Sequence, residues 1–440
     1  MKHGAFRSFL ARFSILVSGR LVGAVATFAL NLLIIRLLGV DALADYAVFV
    51  SISGVLAVCL FLGFNSVASF FAAEYQNDKS LDLLKGFAIR AMKNGLAVIA
   101  VLLAAFSVYW AINPVGIGLD HVAYLGIVVV TAAGLATLNL NSAIQVGLKR
   151  PLAGLLPDTL LRPVILIAGA ALLLFGQWVT DISGIIALAG VAAWLAVAAV
   201  LIWDANFRRR FREFDGRGES GRWYRAAFPW LGTSLLWDHM IDLVVLTASL
   251  LAGSVEIAIL HICFRYRVLA GFGMRTIHSL MMPEITEQTL RRDTEALQRK
   301  LFLTNIASIG YSICVLAVFA VVGHFLLGLF SKEVEAGYPI LLAVTLTMLA
   351  RSIFGPAPLI LAVHNQHVAT MLVSLAGLVV AVTWMMLAYP GLGIMAAASG
   401  YTAGNLLVSV VLWRYARLKT GIDCSIFAAL TPAGATFAVK

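Results

Sequence analysis

Six arginines lie inside stretches that are otherwise apolar: Arg20, Arg162, Arg265, Arg267, Arg275 and Arg351. A guanidinium facing lipid at mid-depth costs about 2.5–3.5 kcal/mol on insertion scales, so such residues belong against protein or a water-filled cavity. The segment HICFRYRVLAGFGMRTIH (261–278) holds three of them together with two histidines. With His261 at 0° and about 100° per residue, Arg265 falls near 40°, Arg267 near 240°, His278 near 260° and Arg275 near 320°. The five share a sector about 160° wide. Ile262, Tyr266, Leu269, Gly273, Ile277 and Leu280 fill much of the other side. The spacing predicts a helix that turns a cationic face to an aqueous lumen. The chemistry is anion binding, and the planar guanidinium fork suits phosphate because it can donate two parallel hydrogen bonds.

Each of these residues also has a plainer reading. Arg275 and His278 lie near a span end and could snorkel to headgroups, as could the shallow Arg20. Arg162 follows Asp158 by four residues, the spacing of a helical ion pair. Arg265, Arg267 and Arg351 sit nearest mid-depth, where neither reading serves, so they are the first candidates for a substrate site, with His261, Arg275 and Arg20 behind them. Carboxylates are scarcer. Asp238 and Asp242, with His239 between them in SLLWDHMIDLVVL, share one face of a straight helix. They either neutralise the arginines or bind H⁺ or Na⁺ and couple ion return to solute movement. His364 and His367, in the loop HNQH, are expected to be solvated.

No ATP-binding loop, zinc-protease motif, nucleophile elbow or metal-spaced Cys/His cluster is present, so no catalytic residue, metal or cofactor is expected and the chain reads as a non-enzyme. The four cysteines form no CxxC pair and are expected to be packing residues. The aromatics Phe61, Phe64, Phe70, Phe71, Tyr75, Trp230 and Trp237 are expected to pack or anchor, with stacking on sugar rings as the alternative.

The elements that must position these groups follow from composition. The chain has 440 residues, 61% hydrophobic and 12% charged, and its mean hydropathy is +0.94. Soluble domains carry about 25% charged residues, so this is an all-α polytopic membrane protein. The net charge of +10 does not point to nucleic acid, because the basic residues fall in short loops. A span needs about 20 apolar residues, and twelve are predicted: 14–36, 43–72, 87–112, 122–147, 155–175, 182–203, 228–251, 255–281, 302–330, 338–363, 368–389 and 392–415. Pro157, Pro163, Gly271, Gly273 and the run Gly355-Pro356-Ala357-Pro358 should interrupt their helices. The first span is read as retained rather than as a cleaved signal, because it is long and carries Arg20 and Asn31.

With the N-terminus placed inside, 24 of the 32 Lys and Arg residues fall on the cytoplasmic side, whereas Arg36 and Lys332 are outside. The positive-inside rule therefore predicts both termini in the cytoplasm. The basic loop DANFRRRFREFDGRGESGRWYR (204–225) divides six spans from six. The expected organisation is a bundle over 1–207, a basic linker over 208–226, a second bundle over 227–417 and a tail over 418–440. LLGVDALADY (37–46) echoes LLAGSVEIAI (250–259), and LGFNSVASFFAAEY (62–75) loosely echoes AGFGMRTIHSLMMPEI (270–285), as in transporters built from two parallel repeats. The tail, with Pro432, is too short to span and is expected in the interface or disordered. The outer connections are short and leave no room for a catalytic domain.

The stretch RLVGAVATFALNLLIIRLLGVDALADYAVF (20–49), followed by LFLGFNSVASFFAAEY, resembles the start of Wzx-type polysaccharide flippases, members of the polysaccharide transporter family in the multidrug/oligosaccharidyl-lipid/polysaccharide (MOP) superfamily. The pattern RxLGxxxxxxY, here Arg36, Leu38, Gly39 and Tyr46, carries most of the likeness. The resemblance implies a MATE-like fold of two six-helix bundles in a bacterial inner membrane. It also implies a flippase for undecaprenyl-pyrophosphate-linked O-antigen or exopolysaccharide repeat units, working by alternating access and driven by an ion gradient or the membrane potential. The family's cationic lumen would map onto Arg265, Arg267 and Arg351, then Arg20 and Arg275. Inner-membrane lipids, and a complex with a polymerase and chain-length regulator, would be its partners. The alternatives are a MATE-type cation-coupled drug exporter, a lipid II flippase, and, in another class, a membrane glycan polymerase or glycosyltransferase.

Overall fold

The computed structural model describes residues 3–78, 80–112, 119–203, 216, 218–291, 293–364 and 366–430. Arg208, Arg209, Arg210 and Arg212 of the linker, and Pro432 of the tail, lie outside the described residues. Among the described residues the secondary structure is helical with no strand. That is the solution open to a backbone that lipid cannot hydrate. Among the described residues, ten helices are long and apolar enough to cross a membrane, or up to twelve if each of two bent pairs makes one span. The chain is a multi-pass membrane protein.

The chain folds as two compact units, Met1–Leu235 and Leu236–Lys440. The first contains α1 (His3–Leu37), α2 (Val40–Leu60), α3 (Phe64–Asn77), α4 (Leu81–Ile112), α5 (Leu119–Gly147), α6 (Pro151–Leu156), α7 (Arg162–Phe175), α8 (Ile182–Trp203) and most of α9 (Ser220–Asp238). One of its core clusters is built around aromatic rings. Phe64 stacks on Phe87 with centroids 4.9 Å apart, and Phe71 and Tyr75 extend the cluster. The start of α9 closes this core. Trp223 is 1% exposed and donates its indole N–H to Tyr75 Oη at 2.7 Å. Around it, Arg222 forks onto Glu74 at 2.6 and 2.9 Å, and Arg90 donates to Tyr224 Oη at 3.0 Å. Residues 220–226, read from sequence as linker, are thus the first turns of a packed helix.

Two proline signals act as expected, by different routes. Between α6 and α7 the chain winds one π-helical turn, Pro157–Leu161. Pro163 has no N–H to offer the carbonyl of Thr159, and its ring pushes that carbonyl away. Gly23 of α1 packs there: a Cβ on Gly23 would lie 1.7 Å from Thr159 O. Arg162, one residue before Pro163, pairs with Asp158 at 2.8 Å, so of its two readings the ion pair is the one observed.

The second unit contains α10 (Met240–Ala248), α11 (Ser254–Arg291), α12 (Thr294–Gly328), α13 (Lys332–Glu335), α14 (Tyr338–Phe354), α15 (Ala357–Val363), α16 (His367–Leu392) and α17 (Met395–Thr420). The Gly355–Pro356 break bends α14 against α15 by 51°. Gly355 has φ +70, which a side chain would resist, and a Cβ there would meet Cys424 O at 1.8 Å. The other glycine signal fails: α11 runs unbroken through Gly271 and Gly273, because Tyr311 lies against Gly273 and donates to Ala270 O at 2.7 Å.

Of the two expectations for the tail, disorder is corrected for residues 421–430. They fold back as a clasp ending in a 3₁₀ turn, Ile426–Leu430. Asp423, its side chain 1% exposed, accepts from Trp413 Nε1 at 2.7 Å and from Ser425 N and Oγ at 3.0 and 2.7 Å, and it pairs with Arg417 at 3.4 Å. Asn305 Nδ2 donates to Cys424 O at 2.8 Å. Three hydrogen bonds and the facing Arg417 guanidinium compensate the one buried carboxylate, which lets this mostly apolar segment dock with a charge inside it.

Candidate functional site: an arginine-lined cavity

The second unit encloses a cavity of about 400 Å³. Arg267 and Arg275 of α11 and Arg351 of α14 line it, together with Trp237 and Asp238 from the end of α9. Tyr401 and Asn405, one turn apart on α17, complete the polar wall. Met240, Met274, Met348 and Val408 supply apolar surface.

Aromatic faces make the cations tolerable. The Arg351 guanidinium lies 4.3 Å from the centroid of Trp237. Arg267 lies 5.8 Å from Tyr401 and donates its Nε–H to Thr347 Oγ1 at 3.3 Å. Arg275 covers Phe272 at 4.8 Å and donates to Val268 O at 3.3 Å. Such cation–π contacts contribute about 0.5–1 kcal/mol at exposed sites, as for Arg275, and about 2 kcal/mol or more only when desolvated. Arg351 also ends its helix, where the unpaired carbonyls of the last turn favour a cation. Three guanidinium groups and one carboxylate leave the lining strongly cationic.

The structure gathers some of the expected residues and not others. On the same angular scale, the α11 lining residues Arg267, Val268, Gly271, Met274, Arg275 and His278 all fall between about 220° and 340°. His261 and Arg265, near 0° and 40°, lie outside that arc. Instead Arg265 donates its Nε–H to His261 Nε2 at 3.3 Å, and His261 is 3% exposed. Neither lines the cavity, so the 160° sector divides into two faces. Arg20 is exposed on α1, in the other unit.

The acidic pair is separated as well. The helix breaks at His239, bending α9 against α10 by 64°, so Asp238 and Asp242 do not stand one above the other on a straight helix. Asp238 lines the cavity, whereas Asp242 Oδ2 meets His239 Nδ1 at 2.8 Å. Among the described residues no three His, Cys, Asp or Glu side chains converge on a metal position.

The sequence places Trp237 among aromatics that pack or anchor, with sugar stacking as the alternative, and Tyr401 and Asn405 are not singled out there. Their signal was an i, i+4 polar pair inside an apolar span. Trp237 Nε1 is buried with no protein acceptor, an arrangement that costs roughly 1–3 kcal/mol.

No protein-family profile matches the chain, and no curated protein matches it. Solved structures do. One described as an inward-facing multidrug resistance MATE family transporter of the MOP superfamily aligns with TM-score 0.68 over 92% of this chain and 97% of its own, at 14% identity. The fold is that of MATE transporters. A MATE P26A mutant aligns with TM-score 0.66 over 93% of this chain and 94% of its own, also at 14% identity. An outward-facing MATE family transporter aligns with TM-score 0.59 over 90% and 96%, at 14% identity. These neighbours are transporters and not enzymes. At that identity the likeness concerns the backbone plan and leaves the solute open.

Proposed function

We propose that this chain is an alternating-access transporter whose C-terminal cavity receives an anionic group, and that its cargo is a lipid-linked pyrophosphate glycan moved between leaflets of the bacterial inner membrane. One observation supports the anionic reading above the rest: Arg267, Arg275 and Arg351 line the same cavity with Asp238 as the carboxylate. A cation would meet net repulsion there, whereas each phosphate oxygen could find a guanidinium donor. With the basic loops in the cytoplasm, outward movement of each negative charge gains about 2.3 kcal/mol per 100 mV. A cavity of about 400 Å³ is of small-ligand size, so it suits the charged head and leaves most of a glycan outside.

The second reading is a MATE-type cation-coupled drug exporter. The structural neighbours are described as multidrug resistance transporters, and that likeness supports an exporter better than it supports a glycan flippase. Asp238 would then be the coupling group.

Reconstitution into liposomes separates the two. Fluorescent lipid-linked diphosphate glycan in the inner leaflet should become accessible to external dithionite, and Arg267→Gln/Arg351→Gln at equal incorporation should slow this at least tenfold. Ethidium extrusion driven by a proton or sodium gradient, without glycan movement, would replace the flippase by the exporter.

A further inference from the structure

We infer that Trp237 is a solute-binding residue whose indole N–H donates a hydrogen bond to an oxyanion held by Arg351. The inference rests on the anionic reading of the cavity and assigns a residue to it.

Indole nitrogen can only donate, and four other tryptophans satisfy that donor within the protein. Trp194 donates to Val130 O at 2.9 Å, Trp223 to Tyr75 Oη at 2.7 Å, Trp384 to Ser399 Oγ at 3.0 Å and Trp413 to Asp423 at 2.7 Å. Trp237 Nε1 is buried without a protein acceptor while the residue lines the cavity. Its ring is held in place: the Arg351 guanidinium lies over its face at 4.3 Å. Packing alone would be served by phenylalanine, which leaves no donor behind. A tryptophan here presents a fixed donor at the edge of a ring whose face already carries a cation.

The partner of that donor must bring acceptor oxygens. It must also bring negative charge, because the three guanidinium groups of Arg267, Arg275 and Arg351 outnumber the one lining carboxylate, Asp238. A phosphate or diphosphate meets both needs, since its oxygens can accept from the indole edge and the Arg351 fork together. A lipophilic cation offers no acceptor to Trp237 and is repelled by Arg351.

The test uses purified full-length protein in nanodiscs and sodium pyrophosphate as the probe. Calorimetry should give saturable binding to the parent protein. Trp237→Phe keeps a ring for Arg351 but removes the donor, and should weaken binding about tenfold, equivalent to about 1.4 kcal/mol. In parent protein carrying ¹⁵N-indole label, the Trp237 cross-peak should shift downfield in proton on saturation. That peak is assigned by its absence from Trp237→Phe or, should that variant not accumulate, from Trp237→Tyr. Pyrophosphate binding within twofold of the parent in Trp237→Phe, or an unmoved indole peak, overturns the role of Trp237 and leaves the anionic cavity standing. A parent protein that binds no pyrophosphate but binds tetraphenylphosphonium overturns both.

Discussion

Asp423→Ala should release the C-terminal clasp while leaving the helices of the second unit folded. The magnitude is set by the groups that the carboxylate holds. It accepts from Trp413 Nε1 and from Ser425 N and Oγ, and it faces Arg417, with its own side chain 1% exposed. Hydrogen bonds to a charged group contribute about 1.5–3 kcal/mol each, though not additively. Removing one partner of a buried charged set costs about 3–5 kcal/mol. The loss falls on docking of residues 421–430, so about 3 kcal/mol shifts the docked-to-open ratio by roughly 150-fold. Cys424 reports on this directly. It is 0% exposed, and burial, reinforced by the neighbouring Asp423 charge, pushes its thiol up to about 12. In protein that keeps Cys424 as its single thiol, maleimide labelling at pH 8 should be slow and gated by opening, and Asp423→Ala should speed it about 100-fold.

The pH dependence has a definite sign. Above the ordinary thiol pKa of about 8.5 the open segment loses its proton while the docked one keeps it. Docking therefore weakens by about 1.4 kcal/mol per pH unit from there up toward the docked value, and is unaffected below. If Asp423→Ala labels within threefold of its parent while the thermal midpoint drops, Asp423 supports the whole bundle and the reasoning fails.

Gly355→Ala must place a methyl against Cys424 O at φ +70, so it should raise Cys424 labelling much as Asp423→Ala does. Gly23→Ala puts a Cβ 1.7 Å from the Thr159 carbonyl. It should lower stability by more than about 2 kcal/mol, read as a fall in thermal midpoint, and a neutral result would remove the close approach of α1 to the π-helical turn. Trp223→Phe removes the buried donor to Tyr75 Oη, which keeps only its own donation to Glu219 at 3.3 Å. It also leaves part of the indole's volume empty, so it should cost about 1–3 kcal/mol, whereas Arg222→Ala breaks a pair that is 49% exposed on the arginine side and should cost less than about 1 kcal/mol. Equal losses in denaturation of these two variants would contradict that ranking.

The spans were legible because lipid forces backbone polarity inward, and apolar length is then nearly the whole signal. Breaks at Pro157–Pro163 and Gly355–Pro358 could be read from residue type, because proline lacks a donor and glycine accepts a left-handed φ. The bend at His239 could not, since neither proline nor glycine stands there, and it is this bend that separates Asp238 from Asp242. For the cavity, helical angle alone put Arg267 and Arg275 together. It also drew in Arg265 and His261, because a helix that packs on several sides divides one polar sector between different neighbours. The clasp was hidden for another reason. Asp423 looks like a solvated charge until Trp413, Arg417 and Ser425 surround it, and no local pattern encodes that meeting.

The position of Trp223 has a consequence for dividing the chain. It sits edge-on to Phe87 with ring centroids 5.6 Å apart, deep in the aromatic nest of the first unit. A polypeptide stopping at residue 207 would carry that nest with an indole-shaped vacancy at its centre. The break between sequence halves and the border between folded bodies are thus offset by most of one helix. The helix beyond the basic loop supplies the keystone for the bundle before it, so the N-terminal six spans alone are not a self-sufficient building block.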